Sequence, residues 1–168
     1  MARIGIFYGS TTGRTRFAAE AIQREFGVEA DLFDVAGTDA ADLARYSLLM
    51  LGVSTWGIGD LQQDWDTRIN LLWKVDFSGK KVAFFGLGDA MNYPDSFLDA
   101  MGTLFQAVSG RGAECVGRWP VGGYEFTLSS AVVEGEFVGL GLDDDNQGHL
   151  SAERISRWVA QVKNEAGV

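Results

Sequence analysis

The sequence predicts an α/β protein built on a parallel sheet with helices on both faces. Three observations lead there. Short apolar runs alternate with segments whose apolar residues recur at helical spacing. Strand–helix–strand alternation implies parallel strands, with helices as the crossovers. The strand runs are apolar throughout rather than alternating, which marks strands covered on both faces.

The elements follow in order. Ile4-Gly5-Ile6-Phe7-Tyr8 reads as a buried strand. Ala18, Ala21, Ile22, Glu25 and Phe26 then give a helix from about residue 13 to 26. Ala30 to Val35 is a weaker strand and Asp39 to Tyr46 a short helix. Tyr46 to Val53 and Lys81 to Leu87 are two further buried strands. Phe97, Met101, Leu104, Phe105 and Val108 make a helical stripe. Glu114 to Arg118 and Phe137 to Leu142 are strands, and Ile155, Trp158, Val159 and Val162 line the last helix. No linker or repeat interrupts the 168 residues, so a single domain over 1–168 is expected.

Composition narrows the function. Apolar residues at 46% and charged residues at 22% suit a soluble globule. A formal net charge of −9 argues against nucleic acid, whose affinity rests on Lys and Arg. It argues equally against anionic membranes and favours steering toward basic partners. No apolar stretch approaches the ~20 residues of a membrane span. The opening MARIGIFYGS is read as no signal peptide, because Gly9 and Ser10 end its apolar run. One Cys permits no internal disulfide, and a cytoplasmic location is expected.

In a parallel α/β sheet ligands bind beyond the carboxyl ends of the strands. The loops after residues 8, 53 and 87 are therefore where chemistry is sought. The first, Gly9-Ser10-Thr11-Thr12-Gly13-Arg14-Thr15, carries four hydroxyls, two Gly and the free amides of a helix start. A Walker loop needs four residues between its glycines and then Lys; here three separate Gly9 from Gly13, and Arg14 follows. A dinucleotide loop needs G-x-G-x-x-G, which is lacking. Taken alone the loop also suits a plain helix cap, but its hydroxyl density favours a monophosphate.

The second loop, Ser54-Thr55-Trp56-Gly57-Ile58-Gly59-Asp60, places an indole at the ligand edge of the sheet, where it can stack on a flat ring. The third, Leu87-Gly88-Asp89-Ala90-Met91-Asn92-Tyr93, offers a second aromatic for the opposite face. Each aromatic taken singly also suits a core or rim position. Together with the first loop they describe a site for a flat ring on a phosphorylated tail, the shape of FMN.

These segments resemble the flavodoxins of the long-chain type, and the resemblance runs end to end. Ser10 to Thr15 is similar to T/S-x-T-G-x-T, and Thr55 to Gln62 to T-W-x-x-G-x-L. Gly86-Leu87-Gly88-Asp89 with Tyr93 and Phe97 resembles G-x-G-D…Y…F. Trp119-Pro120 and Gly122 to Phe126 resemble the loop that splits the last strand, and Phe137 to Gln147 its second half and exit. The resemblance implies a flavodoxin-like, doubly wound five-stranded sheet in the order 2-1-3-4-5 with FMN at the switch point. The cofactor-binding residues it implies are Ser10, Thr11, Thr12, Gly13, Arg14, Thr15, Ser54, Thr55, Trp56, Gly57, Leu87, Gly88, Asp89, Tyr93 and Asp145. Trp56 would cover the inner face of the isoalloxazine and Tyr93 the outer. Backbone near Ala90, Ser54 and Thr55 would edge the ring, and Asp145 would lie near the ribityl chain. Two departures stand out: Arg14 replaces a common Lys, and Ala90-Met91 replaces a common Gln.

The expected role is a low-potential one-electron carrier, shuttling between semiquinone and hydroquinone, with no substrate and no catalytic residue of its own. Gly57 can adopt φ > 0 freely, so the Gly57–Ile58 peptide is a candidate to turn its carbonyl toward flavin N5. Asp60, Asp64, Asp66, Asp89, Asp95 and Asp99 are candidates for lowering the potential. One carboxylate at ~10 Å opposes an added negative charge by roughly 0.4–1.7 kcal/mol. Taken one by one, each also reads as part of a solvated face. The partners implied are redox proteins: a flavoprotein reductase or photosystem as donor, and reductive enzymes, in some members nitrogenase, as acceptor. A monomer suits such a carrier. His149 reads as a surface residue and Cys115 as a core one. Asp143 to Gly148 fails as a calcium loop, because Gln147 and Arg154 occupy its fifth and twelfth positions. An NAD(P)H:quinone reductase would need one flavin face open, and a phosphoacceptor domain would need an Asp where Val53-Ser54 stands. A structural domain without flavin would not need the phosphate loop and both aromatics.

Overall fold

Phe84 and Phe85 are neighbours on one strand, so their side chains leave opposite faces of the sheet. In the computed structural model, which describes residues 3–168, the Phe84 ring meets Phe105 at 5.8 Å and the Phe85 ring meets Trp158 at 6.2 Å. Phe105 and Trp158 belong to different helices, so both faces are covered. This is why the buried stretches of the central strands, Leu48–Val53 and Val82–Leu87, carry no polar side chains. Burying each such side chain is worth roughly 1.5–3 kcal/mol.

The chain runs β1 (Ile4–Tyr8), α1 (Arg14–Phe26), β2 (Ala30–Asp34), α2 (Ala40–Ala44), β3 (Leu48–Trp56), β4 (Asp60–Leu61) and α3 (Gln63–Arg68). It continues through β5 (Lys81–Leu87), α4 (Asp99–Val108), β6 (Glu114–Cys115), β7 (Trp119–Pro120), β8 (Val132–Val133), β9 (Glu136–Phe137), β10 (Leu140–Leu142) and α5 (Asp144–Ala166). The parallel order β2-β1-β3-β5-β10 is the expected 2-1-3-4-5 when its five main strands are counted along the chain. α1 packs beside α5, and α4 lies on β3 and β5.

Register aligns the carboxyl ends. Tyr8 stands beside Gly52, Gly52 beside Phe85 and Ser54 beside Leu87. Gly52 is glycine for reasons of space: a Cβ there would sit 2.1 Å from the Phe85 ring.

The fifth strand differs from its expected form. Both β6 and β10 pair with β5, β6 at Lys81–Val82 and β10 at Phe85–Leu87. Between them the chain leaves the sheet and forms a separate antiparallel sheet of order β7-β9-β8. The run Phe137 to Leu142 is therefore not one strand. Phe137 belongs to the small sheet and Leu140 to the large one. The crossing at Gly139 is so close that a Cβ would lie 2.0 Å from the Phe84 carbonyl oxygen. The insert is fastened by Tyr124, whose hydroxyl donates to the Gly141 carbonyl (2.6 Å) and accepts from the Trp119 indole N–H (2.8 Å). The Arg154 guanidinium lies over the Tyr124 ring at 4.1 Å.

Cys115 is half-buried against the core and His149 is exposed.

Candidate functional site

The first loop closes on itself when Ser10 Oγ accepts the amide of Gly13 (3.1 Å). Gly13 has a φ of 93°, a left-handed conformation that a side chain would strain. α1 starts there with no side-chain cap and no acidic residue in its first turn. Its first amides, from Arg14 onward, have no partner within the helix and face the carboxyl edge of the sheet. α2, α3 and α5 are instead capped by Asp39, Gln62 and Asp143 and have acids in their first turns. α4 also lacks a side-chain cap but carries Asp99 in its first turn, so in a chain of net charge −9 the α1 start, with neither cap nor acid, stands out as a place for an anion.

A cleft of about 390 Å³ opens beside it. Trp56, 40% exposed, and Tyr93, 43% exposed, both line it, with Leu87 and Gly88 between their loops. The Trp56 indole N–H donates to Ser54 Oγ at 2.9 Å, which fixes the ring's orientation. Thr55 Oγ1 accepts the amide of Ala100 (3.0 Å) and ties the same loop to α4. Gly57 has a φ of 51°, and a Cβ there would find only Asp60 Oδ2, at 3.6 Å.

Asp89 organises the third loop. It accepts from the Asn92 amide (3.0 Å), the Asn92 side chain (2.7 Å) and the Asn146 side chain (3.0 Å). Burial alone would raise its pKa, but these hydrogen bonds outweigh burial and hold it below the usual carboxylate range. The mouth of the cleft is spanned by an ion pair between Arg14 and Asp145. The bond to Asp145, and then the charges of Asp145, Asp144 and Asp89, raise the basicity of Arg14.

Eleven of the fifteen expected binding residues line this one cleft: Thr12, Arg14, Ser54, Thr55, Trp56, Gly57, Leu87, Gly88, Asp89, Tyr93 and Asp145. Ser10 and Gly13 are spent on closing the loop, and Thr15 is buried beneath it. Thr11 turns away, toward a second groove that it shares with Trp56, Asp60, Leu61, Gln63 and Asp66. The Ala90 amide donates to the buried Asp143 at 3.3 Å. The sequence reading missed Asp144, which joins the lining, and the buried Gln62. Of the six carboxylates expected to set the potential, Asp99 accepts the Ser130 amide and Asp64 the Gln62 side chain, so both also serve structure.

Comparison with known proteins decides the family. The family model for Flavodoxin matches residues 6–158. The chain belongs to the flavodoxin family. It is 50% identical over 170 aligned positions to a flavodoxin of Synechococcus elongatus, covering 100% of both chains. It is 44% identical to flavodoxin 1 of Escherichia coli strain K12, covering 98% of this chain and 95% of that one. The crystal structure of Fusobacterium nucleatum flavodoxin bound to flavin mononucleotide superimposes with a TM-score of 0.92 at 30% identity, covering 98% of this chain and 99% of that one. Flavodoxins are FMN-dependent electron carriers rather than enzymes that convert a substrate. Among the described residues no helix is long and apolar enough to cross a membrane.

Proposed function

We propose that residues 1–168 act as one FMN-binding unit that passes single electrons between larger redox proteins. The observation that carries this reading is the pairing of an uncapped helix start with two half-open aromatic side chains around one cleft. The donor set fits the cofactor's parts. Amides of the α1 start and the Thr12 hydroxyl suit a phosphate dianion, with Arg14 as its cation and Ser10 and Thr15 shaping the loop beneath it. Asp145 suits the hydroxyls of the ribityl chain. Trp56 and Tyr93 suit the two faces of the isoalloxazine, with Ser54, Thr55, Gly57, Leu87, Gly88 and Asp89 at its edges and floor.

Bound FMN supplies the redox chemistry; the chain sets its surroundings. With Trp56 on one face of the ring and Tyr93 on the other, the two side chains would shield it from water and leave no room for a nicotinamide to stack on it. Asp89, Asp144 and Asp145 line the cleft with negative charge, Asp60 and Asp66 line the neighbouring groove, and all oppose the arrival of more. The same charges favour basic partner surfaces, with association that weakens as salt rises. A flavoprotein reductase or photosystem as donor and reductive enzymes as acceptors fit this profile, as do a monomer and a cytoplasmic setting.

The test is an anaerobic reductive titration of the FMN-loaded protein followed by absorption. Two separate one-electron steps are expected. A single two-electron bleaching driven by NAD(P)H alone would replace the carrier with a reductase.

A further inference from the structure

We infer that Gln62 is a positioning residue that locks the phosphate loop to the ring-binding loop, so that the two ends of the cofactor are bound as one event. The inference rests on the FMN reading above. Gln62 lies outside the cleft lining, yet its side chain is wholly buried. Its Oε1 accepts the amides of Asp64 (3.1 Å) and Trp65 (3.3 Å) at the start of α3. Those two donors fix the orientation of the side-chain amide, so its NH₂ group must face the other way. It donates to Thr11 Oγ1 (3.0 Å) in the phosphate loop and to Asp64 Oδ2 (2.8 Å). Both donors and both acceptor sites are used, and no rotation of the amide keeps them satisfied.

The main chain of the same residue reaches the ring loop, its amide donating to the Ser54 carbonyl at 3.2 Å. A second route runs through Trp65, whose indole N–H donates to the Gly52 carbonyl (2.7 Å). That carbonyl also accepts the Gly9 amide (3.2 Å). The contact is close enough to dictate sequence. A Cβ on Gly9 would fall 2.2 Å from Gln62 Oε1 and 2.8 Å from Trp65 Cδ1, so the loop backbone lies directly on these two side chains. Gly9 thus serves close approach rather than a turn.

One buried node therefore bonds to Thr11 on one side and Ser54 on the other. Whatever orders one loop biases the other, and the bias is reciprocal. Thr11 accepts from Gln62 and lies outside the cleft lining, so its part in phosphate binding is to place the loop.

The experiment measures FMN and riboflavin affinities of the FMN-stripped protein by calorimetry, with and without inorganic phosphate. Thr11→Val deletes the acceptor and leaves the α3 cap and Trp65 untouched. Thr11→Ser keeps the acceptor, and Gln62→Met removes the side-chain bonds of the node while keeping its main-chain bond to Ser54. Thr11→Val is expected to weaken FMN roughly fivefold, the scale of one lost hydrogen bond, and riboflavin less than twofold. Thr11→Ser is expected to match the parent. Phosphate is expected to raise riboflavin affinity severalfold in the parent and to leave it unchanged in Thr11→Val. The double variant is expected to be no weaker than Gln62→Met alone. Equal losses for FMN and riboflavin, additive losses in the double variant, or an unaltered phosphate effect would each overturn the inference. A parent protein that takes up no FMN would overturn the FMN reading itself. FMN uptake with unaffected variants would overturn only the role of Gln62.

Discussion

The indole N–H of Trp56 points along its own strand to the hydroxyl of Ser54, 2.9 Å away. The bond joins two residues on the same face of β3 and holds a large, 40% exposed ring upright beside the cleft. Ser54→Ala frees that ring while leaving its stacking surface intact. FMN affinity is expected to fall about fivefold, the scale of one net hydrogen bond of ~1 kcal/mol. Calorimetric titration of the stripped protein checks this, and an unchanged Kd would show that packing alone orients Trp56.

Gly57 carries a φ of 51° with open space around its Cβ position. A side chain therefore meets backbone strain rather than a clash. Gly57→Thr is expected to cost ~1–2 kcal/mol in this left-handed conformation and to hinder any turn of the Gly57–Ile58 peptide. The population of one-electron-reduced flavin in a reductive titration should shrink. An unchanged population would remove Gly57 from the control of potential.

Arg14 and Asp145 are 51% and 43% exposed, so their pair contributes under about 1 kcal/mol to stability. Arg14→Gln is expected to move the melting temperature little. Its effect should fall on FMN: a severalfold loss of affinity at low ionic strength that shrinks near 1 M salt, where the Debye length is about 3 Å. Equal losses at both salt concentrations would mean that Arg14 acts through shape rather than charge.

Tyr46 donates to Asp31 Oδ2 at 2.6 Å from a buried ring. Burial first, then that bond and the charge of Asp31, push its pKa from 10.0 up to about 12. The folded state thus favours the neutral phenol. Its stabilisation is complete below pH 10 and is lost as pH rises toward 12, because the unfolded chain ionises first. Tyr46→Phe should lower stability by ~1 kcal/mol at pH 7. It should also flatten the decline between pH 10 and 12 in urea titrations. Tyr8 and Tyr124 are raised too, so the difference between parent and variant is the quantity to read.

The Tyr124 hydroxyl joins the Trp119 indole to the Gly141 carbonyl. Tyr124→Phe leaves both without this partner and is expected to cost ~1–3 kcal/mol. The loss should appear as faster hydrogen exchange within residues 119–137, with FMN affinity within twofold of the parent. A matching loss of affinity would tie the insert to the cofactor site.

How much of this was legible in the sequence follows from what each element must bury. β1, β3 and β5 are covered on both faces, so their apolar runs are unbroken and easy to read. α3 buries only Trp65, which leaves no helical period in Gln63–Arg68. The small sheet is built from pairs of residues, too short to show any period. The cleft was legible because Trp56, Tyr93 and the hydroxyl-rich loop announce themselves by residue type. Gln62 does not: its meaning depends on Thr11, 51 positions away. The fate of the Ala90 amide depends likewise on Asp143, 53 positions on.

The divided fifth strand also sets an order of assembly. Lys81 finds Glu114 early along the chain, whereas Phe85 must wait for Leu140, beyond the whole insert. Lengthening a loop costs little equilibrium stability, about 0.6 kcal/mol per doubling. It costs speed, because distant contacts are rewarded only after the closure is made. Of the five main strands, β10 is therefore the one paired across the longest stretch of chain. α5 begins at Asp144, directly after it. Asp144 and Asp145, which line the cleft, follow directly on that strand, so their placement depends on the closure of the longest loop in the sheet.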